Sequence, residues 1–206
     1  MVITTYAELK TSIANYLARN DLTSEIPGFI QFAENRLRRD LRIRQMLKVA
    51  TTQTVANDAT VQAPSDFLQM RDLHIDSNPI DVLQYVSPSN FYRNTFSTIS
   101  GTPKQYTLLS DQFQLAPIPD SNFTLQMLYY AAPPYLSDTN TSNVFLVNCP
   151  DLLLYAALGA AEPYLMNDQR LATWAALYDN GLQSITVSDD QGEYAGSPLS
   201  ITLSTR

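Results

Sequence analysis

Any nucleophilic or general-base chemistry in this chain would have to be built on one histidine, His74, and one cysteine, Cys149. An activated nucleophile needs a base within hydrogen-bond reach. His74 lies between Leu73 and Ile75 in a stretch with strand character and reads as structural, and Cys149 precedes Pro150 at a helix start and reads as a buried, inert thiol. A lone Cys and a lone His far apart in a chain make no motif. Metal sites gather His, Cys and carboxylates at short spacings, and no such cluster occurs. No G-x-x-x-x-G-K-[ST] loop is present, and the six glycines are scattered. Asp189-Asp190 sets two carboxylates side by side, but in a polar stretch that reads as solvated. A glycosidase needs two carboxylates about 5 to 10 Å apart across a cleft, and no local feature builds one. The expectation is therefore a protein that is not an enzyme, with no catalytic, cofactor-binding or metal-binding residues.

The charge is unevenly spread. Of a net −7 over 206 residues, the stretch 36–48 holds Arg36, Arg38, Arg39, Arg42, Arg44 and Lys48 against Asp40 alone, a local +5, leaving −12 on the remainder. Arginine forks match carboxylates bidentately, so this cluster reads as a docking or ring-forming surface, with a solvated helix face and direct DNA contact as the other readings. The acidic balance argues against a nucleic-acid-binding module, which is usually basic overall. A single cysteine excludes an internal disulfide and fits synthesis in a reducing cytoplasm. The first residues do not show a charged-then-apolar pattern, so secretion is not expected. The longest apolar run, Leu152 to Ala161, is half of the roughly 20 residues a membrane helix needs, so no membrane partner is expected.

The elements that carry these residues follow from periodicity. Thr5-Tyr6-Ala7-Glu8 matches a capping box, and Leu9, Ile13 and Leu17 continue one helical face. A second helix opens near Glu25 or Pro27, its core stripe running through Ile26, Ile30, Ala33, Leu37 and Leu41, with an end near Ile43. Arg38, Arg39 and Arg42 fall opposite that stripe, and Arg44 returns toward it, so that either the helix has ended by then or Arg44 meets a partner there. Residues 47–131 lose the helical period. Tyr106 and Leu108, then Ser110-Asp111, then Phe113 and Leu115 read as a hairpin, and Phe123 to Tyr129 alternate likewise. A short helix follows Ser87. A third helix starts at Pro150, apolar all round and therefore central, and Pro163 kinks or ends it. A fourth runs from about Asp168 through Leu171, Trp174, Tyr178, Leu182 and Ile185. Residues 189–193 read as a flexible polar link to a C-terminal arm in which Leu199, Ile201 and Leu203 alternate with polar residues after Pro198. That alternation suits a strand added to another subunit. The expected fold is α+β: one domain made of a four-helix bundle (1–46 and 148–188), a β-rich insertion (47–147) between the second and third helices, and an extended arm (189–206).

Several stretches, in order, carry a family resemblance. They are Thr5-Tyr6-Ala7-Glu8-Leu9, Ile26-Pro27-Gly28-Phe29-Ile30 and Ala33-Glu34-Asn35-Arg36-Leu37-Arg38-Arg39-Asp40-Leu41-Arg42. Ala63-Pro64-Ser65-Asp66-Phe67, Gly101-Thr102-Pro103-Lys104-Gln105-Tyr106 and Leu115-Ala116-Pro117-Ile118-Pro119 follow. Pro150-Asp151-Leu152-Leu153-Leu154-Tyr155 and Tyr194-Ala195-Gly196-Ser197-Pro198-Leu199 close the series. From Tyr6 to about Leu199 the chain resembles the phage adaptor proteins of podovirus-like tailed bacteriophages, the head-to-tail connectors or tail tube adaptors. The resemblance implies a virion protein at the head–tail junction, in a ring, usually of twelve copies, that binds the portal protein. Such a ring presents a platform to tail nozzle and fibre proteins and lets DNA pass in packaging and ejection. Another neck or tail-completion protein and a tail-associated cell-wall hydrolase are the competing readings.

Overall fold

The computed structural model describes residues 2–19, 21–93, 99–165 and 170–194. The chain divides into two compact units, Met1–Gln45 with Pro133–Arg206, and Met46–Ala132.

The first unit is helical. Helix α1 (Tyr6–Leu17) begins at the expected capping box, with the Thr5 hydroxyl accepting from the Glu8 N–H and the Glu8 carboxylate accepting from the Thr5 N–H. Helix α2 (Ile26–Asp40) buries Ile26, Phe29, Ile30, Ala33 and Leu37. It stops at Asp40, three residues short of the expected end at Ile43. There Leu41 turns extended, and the Arg42 Nη1 donates to the carbonyls of Arg38 and Leu41, satisfying groups that a continuing helix would have bonded.

Helix α5 (Pro150–Tyr164) is the hub. It is buried at Leu152, Leu153, Leu154, Ala156, Ala157, Leu158 and Ala161, and it packs against α1, α2, α4 (Val144–Asn148) and α6 (Leu171–Tyr194). Pro163 lies in its last turn, and the helix ends one residue later. Helix α6 (Leu171–Tyr194) crosses α5 closely at Gly181, where an added Cβ would lie 2.7 Å from the Leu152 Cδ2. Two short helices bring the total among the described residues to six rather than the four expected from period. These are α3 (Pro88–Phe91), in the second unit after Ser87 as expected, and α4 (Val144–Asn148). Five residues are too few for a 3.6-residue period to declare itself. Helix α4 is set instead by its cap, the Asn143 Oδ1 accepting from the Leu146 N–H at 3.0 Å.

Residues 133–143 form a strap held on α2 by side chains the sequence places just beside the apolar stripe. The Glu34 carboxylate, 2% exposed, accepts from the Leu136 N–H at 3.0 Å and the Asn143 Nδ2 at 2.7 Å through one oxygen. The Asn35 Oδ1 accepts from the Tyr135 hydroxyl. The Arg38 Nη2 donates to the Pro133 carbonyl, and its guanidinium lies 3.6 Å from the centroid of the Tyr135 ring.

The second unit is built of sheets. One has the order β1 (Leu47–Gln53), β10 (Thr124–Ala131), β3 (Phe67–Ile75), β4 (Asp81–Val82), and all its pairs are antiparallel. Another has the order β2 (Thr60–Gln62), β8 (Gln112–Ala116), β7 (Gln105–Leu109), β5 (Gln84–Tyr85). A small third sheet joins β6 (Ser100–Gly101) to β9 (Ile118–Pro119). The expected hairpin is β7–β8, turning at Ser110, whose φ of 56° lies in the left-handed region that a tight hairpin turn uses. The two larger sheets share one core. Leu73, Ile75, Leu125, Met127 and Tyr129 come from the first, and Val61, Tyr106, Phe113 and Leu115 from the second.

Two outcomes test this packing. Burial pushes the Glu34 carboxyl above the ordinary 4.5. A carboxyl raised in the folded state contributes its stability below the unfolded value and loses it as pH rises through the folded one. Glu34→Gln keeps an acceptor and removes the charge, so urea titrations should show its stability relative to the native protein improving as pH rises above the ordinary carboxyl value of 4.5. Glu34→Ala instead strands two buried donors and should cost about 2 to 4 kcal/mol. Gly181→Ala gains about 1 kcal/mol of helix propensity but overpacks Leu152 by about 1 to 3 kcal/mol. Its melting temperature should fall, and Leu152→Ala in the same chain should relieve the clash.

Candidate functional site

Neither the lone histidine nor the lone cysteine is free for reaction chemistry. On β3, the His74 Nδ1 lies 2.7 Å from an Asp72 carboxylate oxygen and the Nε2 lies 3.1 Å from the Gln126 Oε1. Both ring nitrogens therefore have partners, and neither is turned to a substrate position. Cys149, at the start of α5, is buried, and that burial pushes its thiol up to about 12, so it is protonated and unreactive at neutral pH. His74 and Cys149 belong to different units. Among the described residues no group of three His, Cys, Asp or Glu side chains is placed to hold a metal ion. No described helix is long and apolar enough to cross a membrane. An aromatic groove of about 470 Å³ is lined in the second unit by residues that include Phe67, Met70, Tyr85, Tyr106 and Phe113, with Arg71 its one charged residue. Such a lining offers no acid–base pair.

The arginine cluster has a definite internal geometry. Arg36 lies 3.7 Å over the Tyr178 ring and pairs with Asp40 at 3.5 Å and Asp179 at 3.6 Å. Tyr178, fully buried, donates its hydroxyl to Asp40, and burial with that bond raises its pKa. Arg38 grips the strap, and Arg42 caps α2. Arg44 meets Asp189, whose carboxylate accepts from both the Arg44 backbone N–H and its Nε, the latter at 3.0 Å. Arg39 alone is exposed with no hydrogen bond or ion pair among the described residues.

The Asp189–Arg44 contact changes the reading of residues 189–193. They are the last turn and a half of α6, not a polar linker. A carboxylate held at 10% side-chain exposure anchors this end, and Gly192 opens the path for the guanidinium. A Cβ there would lie 2.0 Å from the Arg44 Nη2. Sequence reasoning also missed two buried carboxylates. Glu34 falls four residues after Ile30, on the edge of the apolar stripe, which is the one signal that could have found it. Glu162, fully buried on α5, accepts from the Trp174 Nε1 at 2.9 Å and pairs with Arg170 at 3.3 Å. Residues 195–206, and with them Pro198, Leu199, Ile201 and Leu203, lie outside the described residues.

A double-mutant cycle tests the Arg44–Gly192 fit. In the presence of Arg44→Ala, Gly192→Ala should stabilise by up to about 1 kcal/mol through helix propensity. With Arg44 in place it should displace the guanidinium and lose most of that gain, leaving a coupling of about 1 kcal/mol in chemical denaturation.

Among the described residues this arrangement leaves one exposed, unpaired cation on α2, Arg39, and a long, largely exposed helix, α6. No curated protein matches the chain. The family model described as SU10 adaptor protein matches residues 4–202. A match over nearly the whole chain shows the family, and this protein belongs to the SU10 adaptor protein family.

Proposed function

We propose that this chain is a structural subunit of a tailed-phage virion, forming the adaptor ring that joins the portal protein to the tail nozzle and fibres. DNA passes transiently through its channel during packaging and ejection, without specific binding. Its work is assembly and not reaction chemistry. Family membership over residues 4–202 supports the adaptor role.

The observation that carries the ring is α6. Twenty-four residues, about 36 Å of helix, contain one fully buried side chain, Tyr178, while Leu177 and Val187 are exposed. A helix with apolar residues on more than one face is suited to a second partner. It carries no Lys or Arg and exposes Asp190, whereas α2 exposes the unpaired Arg39. Opposite charges on different surfaces of one chain favour a head-to-tail contact, which closes into a ring when the rotation permits. Arg36, Arg38, Arg42 and Arg44 serve this interface by holding α2, the strap and α6 in position, with Arg39 as the contact itself.

An exposed ion pair contributes only about 0 to 1 kcal/mol, but a ring repeats it at every interface. Arg39→Glu should leave the melting temperature unchanged and reduce assembly on portal rings, read by mass photometry or analytical ultracentrifugation. Asp190→Arg in the same chain should restore it. Native assembly by the Arg39→Glu protein would reject this contact, and no assembly by the native chain on portal would reject the ring.

A further inference from the structure

The first sheet of the second unit ends at β1, a seven-residue edge strand. Its ladder to β10 runs from Leu47↔Tyr130 to Gln53↔Thr124, and the Thr54 N–H continues it by donating to the Phe123 carbonyl at 2.9 Å. Hydrogen-bonded pairs alternate in an antiparallel ladder. Thr54, Thr52, Ala50 and Lys48 therefore direct their backbone groups to β10. Leu47, Val49, Thr51 and Gln53 direct theirs outward, with no bond to any described residue.

Edge strands are normally blunted by brevity, proline, a bulge or an unpaired charge. The opposite edge, β4, is two residues long. Strand β1 has no proline or glycine, and the register shifts of its sheet lie between β10 and β3. Its single charge, Lys48, is tied to Asp66 at 2.6 Å. Val49 is exposed. The strand is thus a long, unguarded template.

The chain holds a matching piece. Pro198-Leu199-Ser200-Ile201-Thr202-Leu203-Ser204 has the length of β1, no charge and strict alternation, and it falls beyond the described residues. We propose that the outward edge of β1 receives residues 198–204 of a second copy as an added strand. This rests on the ring reading above, because an edge and an arm on the same chain, used between neighbours, repeat once per interface around a ring. The backbone supplies attraction, and Leu199, Ile201 and Leu203 supply one apolar face.

Amide exchange tests it without requiring a ring. A ¹⁵N-labelled chain carrying Leu199→Ser, Ile201→Ser and Leu203→Ser is mixed with unlabelled native chain at about 1 mM, which detects even weak pairing. The Val49, Thr51 and Gln53 amides should slow by roughly tenfold or more, while Ala50 and Thr52 are unchanged. Thr51→Pro in the labelled chain removes an outward N–H and spares the β10 ladder, so it should keep the fold and abolish the slowing. No slowing by the native donor overturns the proposal, as does equal slowing by a donor bearing the three serines. Protection in the native chain that is independent of concentration and cannot be transferred to the labelled chain assigns the arm to its own β1 and likewise overturns it. Ring formation on portal, read by mass, judges the ring reading separately.

Discussion

Much of the helical unit depends on one buried carboxyl group. Glu34 accepts two hydrogen bonds on α2, from the Leu136 N–H and the Asn143 Nδ2, and so ties together positions about a hundred residues apart. Asn143 is committed twice, since its Oδ1 also caps α4, which leads directly into the hub helix α5. A carboxylate with this little solvent is tolerated because donors surround it, and removing either side leaves the other unsatisfied. The strap is thus a polar clamp on an otherwise apolar assembly of helices. It fixes where the chain leaves the β-rich unit and where the central helix begins.

The arginine-rich stretch takes on a different meaning against that clamp. Its charge, conspicuous in one dimension, is largely used to order the chain's own return: Arg38 at Pro133, Arg36 on Tyr178 and Asp179, and Arg44 on Asp189. Stacking a guanidinium on an aromatic ring while it hydrogen-bonds a carbonyl is a task lysine performs poorly. An adaptor must present fixed surfaces to several neighbours at once, and a subunit whose elements are locked to each other before assembly loses less conformational entropy on docking.

What could be read from the residues was whatever is local. The capping box at Thr5, the stripe of α2, the Ser110-Asp111 hairpin and the apolar α5 all follow from neighbours within a few positions. Long-range pairing was not legible. Asp189-Asp190-Gln191-Gly192-Glu193 has the composition of a linker, and it is helical where a carboxylate meets an arginine 145 residues away. The end of α2 at Asp40 has the same character, because its stripe continues to Leu41, which is buried outside the helix. Of the candidate site, the residue types were visible but not their occupancy. Nothing in the spacing of Arg36 to Arg44 distinguishes the engaged arginines from Arg39.

The register of β1 on β10 also bears on how the chain folds. The helical unit is discontinuous, and α2 must find α5 across the whole of Met46–Ala132. Closing a flexible loop of that length costs about 4 kcal/mol of chain entropy by the logarithmic rule. The pairing of Leu47 with Tyr130 sets the two ends of the insertion side by side. Once those sheets form, only the flanking residues 41–46 and 131–149 separate α2 from α5, so the remaining loop to close is much shorter. Whichever of the two contacts forms first supplies much of that closure for the other, so destabilising β1 or β10 should weaken the docking of α2 on α5 although neither strand belongs to that contact.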